Sequence, residues 1–258
     1  MDKFNSDGVE IAFESWGEGP AVLLIHGFAS NRFVNWRDTG WVKTLVGAGF
    51  RVIALDNRGH GESEKLYDPD RYMLADMAED GRRLLDHLAI GRAHVIGYSM
   101  GARIAARLAI GHPERIGRLI LAGLAGNMIR GLGNGPEIAA ALEADDARSV
   151  ANAEARAFRI FAEQTKSDRR ALAACMKAGR TRIAAEALAR IAAPTLVVAG
   201  ALDAIAGDVA ELVAAIPGAR GLTLAGRNHM NAVGDRDFKA AAVAFLAEEG
   251  DGARVGQG

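Results

Sequence analysis

Gly97-Tyr98-Ser99-Met100-Gly101 stands between an apolar run, Ala93-His94-Val95-Ile96, and a helix-patterned run, Ala102-Arg103-Ile104-Ala105-Ala106-Arg107-Leu108-Ala109. Strand, Gly-x-Ser-x-Gly, helix is the setting in which a serine is presented as a nucleophile. The small residues at 97 and 101 let strand and helix approach closely, so the serine can occupy a strained turn with its hydroxyl facing a cleft. The helix that follows brings its unpaired N–H groups and positive dipole end to the same place. The motif alone is a common turn composition. Its weight comes from the strand and helix around it and from the partners found further along the chain.

Working outward, apolar strands alternate with helices. Val9 to Ser15 alternates after Asp7-Gly8, a hairpin signal. Ala21–Ile25, Arg51–Leu55, Arg118–Ala122, Thr195–Ala199 and Gly221–Leu224 read as strands. Trp41–Ala48, Met73–Leu88 and Arg236–Glu249 read as helices, the second from its spacing at Leu74, Met77, Leu84, Leu85 and Leu88. Near-continuous apolar strands separated by helices predict an α/β fold, a mostly parallel central sheet covered on both faces. Between about Asn127 and Ile191 the pattern is helical only, rich in alanine and arginine. We therefore expect a core over 1–126 and 191–250, a helical lid over 127–190, and a flexible tail over 251–258.

An open α/β sheet gathers function at the C-terminal ends of its strands. Those ends carry His26-Gly27-Phe28, Asp56-Asn57-Arg58-Gly59-His60-Gly61-Glu62-Ser63, Ser99, Gly200-Ala201-Leu202-Asp203 and Gly226-Arg227-Asn228-His229-Met230. Serine, acid and histidine thus follow three separate strands, in the order Ser99, Asp203, His229. Asp208 is a local rival to Asp203, but it directly precedes Val209-Ala210-Glu211-Leu212-Val213 and reads as a helix N-cap. The preceding strand end, Gly123-Leu124-Ala125-Gly126-Asn127, offers no carboxylate.

With these motifs in place, the chain resembles an α/β-hydrolase serine hydrolase of the esterase or lipase kind over nearly its whole length. The resemblance implies Ser99 as nucleophile, His229 as general base and then acid, and Asp203 as the orienting carboxylate. It also implies an oxyanion hole from the backbone N–H groups of Phe28 and Met100, and a helical cap over the site. It further implies that serine at 99 disfavours the dehalogenase and epoxide-hydrolase branches, which use aspartate there. The chemistry agrees on its own terms. A serine hydroxyl needs a base during attack, a neutral histidine supplies one near pH 7, and a carboxylate fixes the imidazole tautomer.

The expected function is cleavage of small or medium carboxylic esters through an acyl-enzyme. Carbon–carbon bond hydrolysis, enol-lactone hydrolysis, acyl transfer and perhydrolysis use the same parts and stay open. A non-catalytic ligand-binding protein on this fold is the alternative from another class. No metal and no organic cofactor is expected; Gly59 and Gly61 are not followed by the Gly-Lys-Ser/Thr of a phosphate loop. In the helical stretch, Met128, Phe158 and Phe161 are candidate substrate contacts, the two phenylalanines acting on acyl length. Leu132 and Met176 belong to the same apolar set, and Arg130, Arg156, Arg159, Arg180 and Arg182 read as a solvated face. His26 is expected to orient the oxyanion loop, and Asp56 and Arg58 to brace the glycine turn around His60.

Composition narrows the partners. The chain has 258 residues and a net charge of −1, which gives no electrostatic case for nucleic acid or an anionic membrane surface. The single cysteine, Cys175, excludes an internal disulfide and reads as a buried structural thiol. The N-terminus lacks the order of a signal peptide, and no apolar run reaches the roughly 20 residues of a membrane span. The expectation is a cytoplasmic enzyme with a small-molecule ester substrate, no nucleic acid and no stable membrane insertion. The sequence leaves its oligomeric state unknown.

Overall fold

The structure, a computed structural model, describes residues 1–131, 133–179 and 182–248. Leu132, Arg180 and the expected tail lie outside the described residues. Eight strands form one sheet: β1 (Asp2–Ser6), β2 (Val9–Trp16), β3 (Ala21–Ile25), β4 (Arg51–Leu55), β5 (Ala93–Tyr98), β6 (Ile116–Ala122), β7 (Thr195–Gly200) and β8 (Arg220–Leu224), in the order β1-β2-β4-β3-β5-β6-β7-β8. β1 and β2 pair as an antiparallel hairpin through Asp7-Gly8, and β2 runs antiparallel to β4. The remaining pairs are parallel. This is the α/β fold expected from the alternation of elements. β1 had no signal of its own beyond the turn that follows it.

The apolar strands are continuous because both faces of the sheet are covered. Successive residues of one strand enter different cores. Val22, Leu24, Val52, Ala54, Ile96 and Ile120 pack with Trp36, Trp41, Phe238 and Phe245, which belong to the segment around α1 (Trp41–Gly47) and to α10 (Arg236–Ala247). Leu23, Ile25, Ile53, Leu55, Val95 and Leu119 pack on the other face with Met77, Leu84, Ile104 and Leu108. These come from α2 (Leu74–His87) and α3 (Met100–Gly111).

Between β6 and β7 come α4 (Gly126–Arg130), α5 (Gly135–Glu143), α6 (Ala153–Gln164), α7 (Arg169–Lys177) and α8 (Ala185–Leu188), with no strand among the described residues. α9 (Val209–Ala215) follows β7. The inserted helices touch the core at points near the strand ends. Phe158 meets Phe28 edge to face at 5.8 Å, the Thr165 hydroxyl donates to the Ala29 carbonyl at 2.9 Å, and Cys175 Sγ lies 4.0 Å from Met100 Sδ. Arg159 departs from the solvated face expected for the arginines. It is buried and donates to the carbonyls of Ala141, at 2.9 Å, and Ala144. It closes the C-terminal end of α5, where carbonyls lack helical partners.

The turn after β4 is braced as expected. Asp56 accepts from the Arg32 and Glu62 N–H groups at 2.7 and 2.8 Å and pairs with the Arg32 guanidinium. Arg58 grips Asp80 through two bonds of 2.7 and 2.8 Å. Among the described residues, no helix is long and apolar enough to cross a membrane.

Candidate active site

The site begins with a backbone conformation. Ser99 has φ 56° and ψ −114°, a region that a residue with a side chain adopts only when its surroundings impose it. The imposition is visible on both sides. A Cβ at 97 would overlap the Gly101 carbonyl, and a Cβ at 101 would overlap the Ile25 carbonyl. Only glycine at both positions lets β5, β3 and α3 approach this closely. The Ser99 N–H donates to the Ala122 carbonyl at 2.7 Å, which fastens the turn to β6. Met100 opens α3 directly after it.

The three sequence-predicted residues meet although β5, β7 and β8 deliver them separately. His229 Nε2 lies 3.0 Å from Ser99 Oγ. Its Nδ1 lies 2.9 and 3.1 Å from the two Asp203 oxygens. A carboxylate facing Nδ1 places the ring proton there and leaves Nε2 to accept from the serine hydroxyl. Asp203 is buried, and its Oδ1 also accepts the Ala206 N–H at 2.9 Å, so its plane is held from two directions. Asp208 caps α9 through the Ala210 N–H at 2.9 Å, in line with its reading as an N-cap.

Sequence reasoning missed Tyr98. Its hydroxyl donates to the His229 carbonyl at 2.5 Å, and its ring lies 5.5 Å from the imidazole. The middle residue of Gly-x-Ser thus holds the histidine loop. The one available signal was an aromatic residue carrying a hydrogen-bonding tip at a strand end.

Two buried histidines shape the loop after β3. The Asn57 N–H donates to His26 Nε2 at 2.9 Å, so Nδ1 carries the proton and donates to the Gly27 carbonyl at 2.7 Å. His60 donates through Nδ1 to the Arg58 carbonyl at 2.9 Å and meets Phe28 edge to face at 5.6 Å. Asn35 Oδ1 accepts the Gly27 N–H at 3.1 Å. These bonds fix the course of the loop after β3. Burial is the largest influence on both rings and lowers their pKa values from the usual 6.5, to about 4 for His26 and about 3 for His60. Burial likewise lowers His94 to about 4. The unfolded chain therefore binds more protons than the folded one between pH 6.5 and those values, and stability falls as pH drops through that window. The two fully buried rings, His26 and His60, each contribute a slope of up to about 1.4 kcal/mol per pH unit. Denaturant unfolding at pH 7.5, 6 and 5 is expected to show this decline before most carboxylates titrate; a flat profile would mean the rings are already charged in the folded state.

Two chambers open from Ser99, with Phe28 lining both. The narrower, about 50 Å³, runs along α3 past Met100, Ile104 and Arg103 to Cys175 and Met176. The wider, about 150 Å³, runs past His229, Tyr98 and Asn35 to Phe158 and Phe161. Phe158 and Phe161 are thus brought to the serine, on its histidine side. Met128 is not: it is fully buried in the core and lines neither chamber. Its backbone carbonyl accepts the Ile183 N–H at 3.0 Å, and its apolar side chain, which suggested a pocket, serves packing. Cys175 is buried as expected but also lines the narrower chamber. Among the described residues, no three His, Cys, Asp or Glu side chains gather as a metal-ion site.

A family model described as the alpha/beta hydrolase fold matches residues 20–166, more than half the chain. The bifunctional epoxide hydrolase 2 of Sus scrofa is 37% identical over 109 residues, 42% of this chain and 19% of that protein. The chain spans well under half the length of such curated relatives. A hydrolase from Pseudomonas aeruginosa PA01 superposes with a TM-score of 0.80 at 31% identity, covering 96% of this chain and 98% of that one. The enol-lactonase from Burkholderia xenovorans LB400 also reaches 0.80, at 25% identity, covering 96% and 100%.

Proposed function

Because the chain belongs to the alpha/beta hydrolase fold family, we propose that it hydrolyses small carboxylic esters or lactones through an acyl-enzyme on Ser99. The observation that carries this reading is the unbroken series from Ser99 Oγ through His229 to buried Asp203, at 3.0 and 2.9 Å, beside two chambers. In this reading His229 takes the serine proton as Oγ attacks the carbonyl carbon. The carbonyl electrons move onto oxygen, which the Met100 and Phe28 N–H groups receive. His229 then returns the proton to the leaving oxygen, and a water activated by the same ring releases the acid. Asp203 stays ionised and holds the imidazolium that forms. Serine at 99 favours ester or lactone cleavage over the epoxide chemistry named for some relatives, and the likeness to an enol-lactonase keeps lactones in view.

The chambers divide the substrate. A proton from His229 must reach the leaving group, so the alcohol part belongs in the wider chamber that His229 lines. The acyl part then faces the narrower one, whose size favours short chains. The inserted helices over 127–190 act in this reading as a lid, contributing Phe158 and Phe161 to one chamber and Cys175 and Met176 to the other. This moves the expected effect of the two phenylalanines from acyl length to the alcohol.

A hydrolysis panel tests the proposal. Ethyl, butyl and benzyl esters of acetate, butyrate and octanoate, with γ-butyrolactone, are measured as kcat/KM by titration of released acid. Turnover of the short-acyl esters is expected. Phe158→Ala and Phe161→Ala are each expected to change the benzyl-to-ethyl ratio several-fold while leaving the acetate-to-butyrate ratio near the parent value. A uniform loss across the panel would make these rings packing residues, and no turnover of any ester or lactone would contradict the proposed activity.

A further inference from the structure

The narrower chamber is lined by one buried guanidinium. Its described lining is Ser99, tyrosine and a set of apolar side chains, together with Arg103, the one charged side chain among them. Arg103 is 5% exposed. It sits on α3, and its N–H donates to the Ser99 carbonyl at 3.3 Å, so it lies one turn along the same helix face as the serine. Side chains on a helix lean toward its N-terminus, which directs residue 103 back along the wall that begins at Ser99. Neighbouring positions of α3 are filled by Ala102, Ile104, Ala105 and Ala106, all buried.

A guanidinium has five N–H donors in a planar fork, enough to serve protein neighbours and a ligand together. Beside an apolar lining it interacts strongly with an anion, because little water competes for either charge. The fork matches a carboxylate, which it can bind through two parallel bonds.

We propose that the narrower chamber takes an acyl group ending in a carboxylate, with Arg103 as the residue that selects it. The substrate class is half-esters of short dicarboxylic acids and lactones that bear a carboxylate. This deepens the reading of Ser99 as nucleophile and of the His229 side as the alcohol side, and it rests on that reading. Arg103 forms no bond to the reacting carbon. It sets which acyl group is held with its carbonyl against Ser99.

The test pairs substrates of equal acyl length. Monoethyl succinate, glutarate and adipate are compared with ethyl butyrate, valerate and hexanoate, as kcat/KM by titration of released acid. The wild-type protein is expected to favour at least one anionic ester over its neutral partner by about tenfold or more. Arg103→Gln is expected to lower the anionic-to-neutral ratio, through KM for the anionic esters, by roughly ten- to hundredfold. Arg103→Lys should keep part of it. Neutral esters favoured throughout by the wild type, or a variant that slows both series by one factor, would overturn the proposal. A variant that does not fold leaves a decisive measurement on the unmodified protein, binding of glutarate against glutaramide by calorimetry. Glutarate is expected to bind at least tenfold more tightly, and equal affinities would overturn the proposal. If neither ester series turns over yet glutarate binds selectively, the anion site stands and the esterase reading falls. If neutral esters turn over and glutarate shows no advantage, the esterase reading stands and the anion site falls.

Discussion

Ser99→Ala is expected to lower kcat/KM for a short ester by about 10⁴-fold or more, with the fold intact. The size follows from the way the parts depend on one another. Without Oγ there is no acyl-enzyme, and His229 and Asp203 have nothing to activate, so the loss approaches that of removing all three groups together. The backbone should tolerate the change. Alanine at φ 56° carries the same strain as serine, and the N–H of residue 99 still donates to the Ala122 carbonyl. The thermal midpoint is therefore expected to move little. Activity within tenfold of the parent would remove Ser99 as nucleophile.

Asp203→Asn carries the second largest expected loss, near the 10⁴-fold known for the equivalent change in a protease triad. An amide in this place can turn its NH₂ toward His229 Nδ1, which forces the proton onto Nε2 and leaves no acceptor for the serine hydroxyl. Asp208→Asn supplies the control. Asp208 accepts one N–H at the start of α9, and asparagine caps a helix about as well as aspartate, so kcat/KM should stay within a few-fold. The comparison is made at one pH on both variants. Equal losses, or a larger loss at Asp208, would mean that the orienting carboxylate has been misassigned.

The sequence made the fold readable because the sheet is covered on both faces. Leu23 and Leu24 enter different cores, and so neither could be polar. That requirement writes continuous apolar strands that stand out from the helices between them. The three residues of the series were readable because each follows a strand at the end where the crevice forms. What a residue touches across the fold was not readable in the same way. Tyr98 bonds to a residue 131 positions away, and no local pattern announces that partner. Arg159 looked like any surface arginine until α5 placed its last carbonyls against it. Met128 and Phe158 belong to one apolar composition, yet one fills the core and the other faces the serine. Phe158 and Phe161 line the chamber that His229 also lines, a grouping across the fold from which the proposed alcohol-side role of the two rings follows. Arg103 lies inside the helical run that follows the turn, where nothing in the local pattern sets its charge apart from that of Arg107.

If Ser99 forms a covalent bond with the substrate, that bond can be trapped. The native protein is incubated with a fluorophosphonate, digested, and its peptides mapped by mass. One adduct is expected on the peptide containing Ser99, formed in step with loss of hydrolysis and absent from Ser99→Ala. Full hydrolytic activity with no adduct, or inactivation with the adduct on a different residue, would contradict it.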